Sequence, residues 1–135
     1  MTEKLIIVSG KRKRSIAKAI ISSGTGKITV NNIPYQNLYH IHRLTIEEPI
    51  RIAKKTLKDF NYDIKVKAKG GGREGQMDAA RLAISKALVA KTKSETLRKA
   101  FLKYDKHLLV ADVRRKEAYK PGDSKARAKR QKSYR

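Results

Sequence analysis

Residues 62–91, YDIKVKAKGGGREGQMDAARLAISKALVAK, hold a strand pattern, a glycine run and a helix pattern in direct succession. In Tyr62–Lys69, the residues Tyr62, Ile64, Val66 and Ala68 alternate with Asp63, Lys65, Lys67 and Lys69. Successive side chains on a strand point to opposite faces, so this period of two predicts a strand with one face packed on helices. The other face is wet or meets phosphate. From Gln76 to Lys91, Met77, Ala80, Ile84 and Leu88 recur at helical spacing as core residues. Ala79, Ala83, Ala87 and Ala90 keep the neighbouring face slim, which suits close packing on a sheet. A half-exposed strand followed by an alanine-lined helix predicts an α+β fold.

Between them, Gly70–Gly75 (GGGREG) matches the G-x-G-x-x-G pattern of dinucleotide-binding loops, after a strand and before a helix. Two observations weigh against a dinucleotide. The strand before such a loop is buried on both faces, whereas this one alternates with lysine. The acid some twenty positions on, Glu95, opens another helix pattern instead of ending a second strand. What remains is general: glycines let backbone approach closely, and the amides of a helix N-terminus attract an anion. Gly71, Gly72 and Arg73 are therefore expected to contact a phosphate.

Upstream, Lys4–Ser9, Ser15–Ser22 and Lys27–Asn31 read as three further strands, with Ser23–Gly26 as a hairpin loop between the last two. Lys11-Arg12-Lys13-Arg14 places four cations beside Gly10 and is expected to form a phosphate-contact loop. Gly26-Lys27 fails as a P-loop, because Ile28 stands where Ser or Thr is required. Pro34–Arg43 is expected to be a loop. His40 and His42 would share a face if extended, but with no Cys and only the distant His107 the pair makes a poor metal site. Thr45-Ile-Glu-Glu48 has the form of a capping box opening a helix to about Phe60, with Pro49 tolerated in its first turn. Thr92-Lys-Ser-Glu95 has the same form, opening a helix to Tyr104.

The chain carries 34 Lys and Arg against 12 Asp and Glu, a formal charge of +22 over 135 residues. The last 22 residues hold ten cations against Glu117 and Asp123, so +14 remains on the body. A body that basic repels itself unless a polyanion neutralises it. There is no cysteine, which excludes disulfides, thiolate zinc sites and thiol nucleophiles. The longest apolar runs are four residues, too short for a membrane span, and the N-terminus lacks the apolar region of a secretory signal.

Residues 1–112 are expected to form one globular RNA-docking domain, and 113–135 (VRRKEAYKPGDSKARAKRQKSYR) a basic tail. The tail's only large side chains that could pack are Tyr119 and Tyr134. It cannot bury enough apolar surface to offset its ordering entropy and should be disordered without RNA. Arg114, Arg115, Lys116, Lys120, Lys125, Arg127, Lys129 and Arg130 are expected to neutralise RNA phosphates, joining Lys11, Arg12, Lys13, Arg14, Lys65, Lys67 and Lys69 on the body.

Four stretches together resemble the family of the ninth small-subunit ribosomal protein. They are Gly10–Lys13 with Ala17; Gly24-Thr-Gly-Lys-Ile-Thr-Val-Asn31; Gly70–Gln76 leading to Ala80-Arg81 and Ala87-Leu88; and Asp112-Val-Arg-Arg-Lys-Glu117 through Ser133-Tyr134-Arg135. The ending Gln131–Arg135 is similar to the archaeal and eukaryotic branch. The resemblance implies a two-layer α/β sandwich of about four strands with helices on one face, like the second domain of ribosomal protein S-five, plus a long extended tail. It implies a non-catalytic protein of the cytoplasmic ribosome, bound to ribosomal RNA in the head of the small subunit beside other head proteins. It also implies that Lys132, Ser133, Tyr134 and Arg135 approach the anticodon stem-loop of the peptidyl-site tRNA.

Three other classes fit less well. An enzyme needs convergent carboxylates or a histidine–carboxylate pair in a pocket, and the twelve acids are scattered. A free basic chaperone or nucleic-acid-compacting protein needs no fixed address and is the alternative. Membrane-surface binding lacks an amphipathic helix with large apolar residues opposite its cations. No cofactor is expected.

Overall fold

A computed structural model describes residues 5–134. Strands β1 (Ile6–Arg12), β2 (Ser15–Ser23), β3 (Ile28–Val30), β4 (Ile33–Pro34) and β5 (Tyr62–Lys69) form one sheet in the order β1-β2-β5-β3-β4. Helices α1 (His40–Thr56), α2 (Arg73–Thr92) and α3 (Glu95–Tyr104) cover one face, and short 3-10 turns lie at Tyr35–Asn37 and Lys106–Leu108. This is the expected two-layer α+β architecture, with a fifth strand of two residues at one edge.

The 62–91 stretch folds as its pattern requires. In β5, Ile64, Val66 and Ala68 are buried and Lys65, Lys67 and Lys69 exposed. The core joins these to Ala17, Ala19 and Ile21 of β2, Ile28 and Val30 of β3, and the Ala79, Ala80, Ala83, Ile84, Ala87 and Leu88 face of α2. Gly10 shows how closely the layers approach. A Cβ there would stand 2.4 Å from the Ala79 carbonyl oxygen and 2.8 Å from the Ala83 amide nitrogen. The alanine face of α2 thus rests on bare backbone.

Several expectations need correction. Ser23–Gly26 is not a hairpin loop, because β5 lies between β2 and β3, antiparallel to the first and parallel to the second. The loop is held by Asp63, whose Oδ1 accepts the backbone N–H of Thr25, Gly26 and Lys27. These amide bonds, that of Lys27 foremost, hold its carboxyl below the usual range. The 34–43 segment is not all loop: it contains the end of β4, a 3-10 turn and the start of α1.

Helix α1 begins at His40 with Tyr39 as an N-cap that makes no side-chain bond. Thr45 is therefore inside the helix, its hydroxyl donating to the Ile41 carbonyl, and no capping box exists there. Pro49 lies in the helix interior, not the first turn. The cap of α3 is Ser94, which accepts from the Leu97 amide, while Thr92 ends α2.

Beyond Ala111 the described chain contains no helix or strand. It turns at Pro121-Gly122 and folds back locally: Arg127 pairs with Glu117 at 3.0 Å, and Asp123 accepts the Arg130 amide at 2.9 Å.

Candidate nucleic-acid interface

The uncovered face of the sheet is a grid set by strand register. Lys67 stands opposite Lys18, which stands opposite Ser9; Lys69 is followed across the sheet by Ile16 and Lys11; Lys65 by Ile20 and Ile7. Lys11, Lys18, Lys65, Lys67 and Lys69 are all exposed. Like charges directly opposite on antiparallel strands destabilise a sheet, so the Lys18–Lys67 pair favours an anion laid across it. Successive lysines on β5 are about 6.6 Å apart, close to one nucleotide of backbone. Lys18 is the residue the sequence did not single out. Its strand alternates as SIAKAIIS, but only the sheet order puts it beside Lys67.

The end of the sheet where β1 meets β2 gathers three sequence-distant pieces. Arg12 and Ser15 pair, so Lys13 and Arg14 form the tip of a tight hairpin and not a longer loop. Lys13 takes a left-handed conformation (φ 53°), uncommon for a residue with a side chain. The glycine run lies against this tip. Gly70 and Gly71 adopt φ of 77° and 59°, and Ser15 Oγ donates to the Gly70 carbonyl at 3.0 Å. A Cβ on Gly70 would meet the Arg14 carbonyl at 2.7 Å, and one on Gly71 the Ser15 hydroxyl at 2.3 Å. Gly72 is the N-cap of α2, faces open space and offers no capping side chain, so the first-turn amides point outward. Arg73 is exposed and makes no ion pair among the described residues.

The third piece is the root of the tail. Asp112 accepts Arg12, and it also binds the Arg114 guanidinium and backbone amide. The Arg114 side chain and amide, with Arg12 behind them, hold the Asp112 carboxyl well below the usual carboxylate range. Arg12 Nε also lies 3.7 Å from Asp78. Beside this clamp, Arg81 of α2 reaches Glu48 at 2.5 Å and Asp105 at 3.2 Å, tying three helical segments together. Burial raises the Asp105 carboxyl, but the His107 amide and Arg81 outweigh it, and the net shift is downward.

Arg12 thus differs from the other expected contact residues. Its guanidinium faces inward, only 19% exposed, and anchors the tail. Lys11, Lys13, Arg14, Lys65, Lys67, Lys69, Gly71, Gly72 and Arg73 all lie at the surface of the sheet or its loop end. Arg115, Lys116, Lys120, Lys125, Arg127, Lys129, Arg130, Lys132, Ser133 and Tyr134 are exposed along the tail. Arg135 lies outside the described residues. Among the described residues no group of acids and histidines has the arrangement of a metal site, and no helix is long and apolar enough to cross a membrane. His40 and His42 sit on a helix, and His42 Nε2 is 2.7 Å from Glu74 Oε1.

A basic two-layer domain with a clamped basic tail narrows the family, and comparison of the sequence decides it. The profile of the family described as ribosomal protein S9/S16 matches residues 10–135. The chain belongs to this family. Small ribosomal subunit protein uS9 of Thermoplasma volcanium is 44% identical over 132 residues, covering 96% of this chain and 98% of the relative. The uS9 protein of Methanococcus maripaludis is 44% identical over 135 residues, covering 98% and 99%. That of Thermoplasma acidophilum is 45% identical over 132 residues, covering 96% and 100%. The S9/S16 match takes in the hairpin tip, the glycine run and the tail, and these relatives are archaeal, within the archaeal and eukaryotic branch that the Gln131–Arg135 ending resembles.

Proposed function

We propose that this chain is a non-catalytic structural protein of the small ribosomal subunit, resident in the cytoplasmic ribosome. It docks on ribosomal RNA through the lysine grid and the loop end of the sheet, and its tail supports tRNA in the peptidyl site. The observation that carries this is the convergence of hairpin tip, glycine run and tail root at one end of the sheet, with the open lysine face beside them. That arrangement suits a surface that reads phosphate and shape, as A-form RNA requires. Names carried by the relatives support the ribosomal address.

In this role Lys11, Lys13, Arg14, Lys18, Lys65, Lys67 and Lys69 neutralise phosphates, and Gly71–Arg73 approach one through backbone and guanidinium. The tail cations fill RNA crevices. Lys132, Ser133, Tyr134 and Arg135 reach the anticodon stem-loop of the tRNA.

Retention of peptidyl-site tRNA by small subunits carrying the full chain, a form ending at Gln131, or Arg135→Ala tests the reading. Weaker retention with assembly intact is expected for both variants. Unchanged retention would limit the tail to RNA packing. Loss of the full chain from subunits in a high-salt wash would favour a free basic chaperone.

A further inference from the structure

One cleft lies apart from the lysine grid. It holds about 540 Å³ between the β3–β4 hairpin and the N-terminal turns of α1 and α2. Its floor is Met77, only 7% exposed, with Val30. Ile33, Leu38 and Tyr39 also line it, together with the polar Asn37, Arg73 and Glu74. Tyr39 is 69% exposed, a large aromatic surface left uncovered at a helix start. Its ring is nonetheless steadied. The His42 ring meets it edge-on, at 5.8 Å between centroids and 70° between planes, and His42 is itself held by Glu74.

We propose that this cleft receives one unstacked nucleobase of the bound RNA, stacked on Tyr39, with its phosphate on Arg73. The inference rests on the RNA-docking reading above and adds a base-binding site to it. Three features select the occupant. The cleft is concave and its surface mostly apolar, so it takes a flat base and excludes a duplex. Arg73 and the Asn37 amide make no side-chain hydrogen bond among the described residues, so the lining has a free cation and a free donor–acceptor pair. A neighbouring protein's apolar side chain would leave both unpartnered. The cleft also adjoins the Gly70–Arg73 run, so a strand whose phosphate lies there can turn its base inward. Unstacked bases held on aromatic rings and hydrogen-bonded at their edges are the usual route to specific RNA contact.

Small subunits carrying the native chain, Tyr39→Phe or Tyr39→Ala are probed with dimethyl sulfate and with a carbodiimide reagent, which modify free base edges. One or two bases silent with the native chain and with Tyr39→Phe should become about tenfold more reactive with Tyr39→Ala, as loss of a base–aromatic stack predicts. In parallel, a benzoylphenylalanine placed at position 39 should photo-crosslink to RNA. An unchanged reactivity pattern in Tyr39→Ala overturns the proposal, and so does a crosslink to protein. Native subunits that lack the chain altogether overturn the docking reading beneath it, which is visible before any variant is probed.

Discussion

Arg12 of β1 and Asp112 at the root of the tail are ion-paired across a separation of 100 residues. The pair sets the direction in which the polycation leaves the body, because Asp112 also binds both the side chain and the backbone of Arg114. Asp112→Asn is expected to leave the fold intact and free the tail at its root. Limited trypsin digestion should then cut at Arg114–Lys116 several-fold faster, with the far-ultraviolet dichroism of the body unchanged. A cutting rate equal to the native one would show that Leu108 and the 3-10 turn before it hold the tail unaided.

The same carboxylate is expected to make the protein acid-sensitive. The Asp112 value is lower in the folded protein than in the unfolded chain, where an aspartate titrates near about 3.9. Asp63 is shifted the same way. Such groups contribute stability above the unfolded value, and that contribution is lost as the pH falls through and below about 4. Urea unfolding between neutral pH and pH 3 should therefore show falling stability, and Asp112→Asn should flatten the fall. An equally steep acid limb in the variant would assign the effect to Asp63, Asp105 and Glu47, whose carboxyls are also depressed.

Gly10→Ala should destabilise the free protein by about 1–3 kcal/mol, the range for overpacking a filled core. The new methyl would meet backbone of α2, which has no rotamer to yield. Gly72→Ala, where a Cβ meets nothing within 4 Å, should change stability by less than about 1 kcal/mol. Thermal melts of the two variants compare them directly, and equal losses would mean that α2 can lift from β1.

Lys18→Ala should separate stability from binding. Removing one of two opposed lysines should stabilise the free protein by roughly 0.2–1 kcal/mol. It should also weaken binding to ribosomal RNA fragments and lower the slope of log affinity against log salt by about one. An unchanged salt slope would place Lys18 outside the RNA footprint.

Lys13→Gly probes the hairpin tip. Glycine occupies a left-handed position freely, so the turn should gain about 1 kcal/mol while one phosphate contact is lost. Urea midpoints and RNA affinity should move in opposite directions.

The sequence was most legible where a local period settles the matter. Tyr62–Lys69 alternates without fault, and its strand has the expected bounds. Leu97, Phe101 and Tyr104 marked α3 to its last residue. Cap chemistry misled at Thr45, because the hydroxyl that would cap a helix also bonds a carbonyl one turn back inside it. The true start, Tyr39, carries no capping side chain to read. Sheet order was invisible for a different reason: β3 pairs with β5 across 36 residues, and no local pattern records a parallel partner. The inward turn of Arg12 was hidden likewise, since in sequence it is one of four adjacent cations and its acid lies at the far end of the domain.

The Arg12–Asp112 clamp has a consequence for how the molecule is made. During synthesis Arg12 emerges near the beginning and Asp112 near the end, so the clamp cannot close until almost the whole body is available. The sheet imposes the same order, because β2 waits for β5 to arrive. A nascent or broken chain therefore carries its cations without a fixed heading. Only a finished domain points them, and the direction of the tail becomes a certificate that folding is complete.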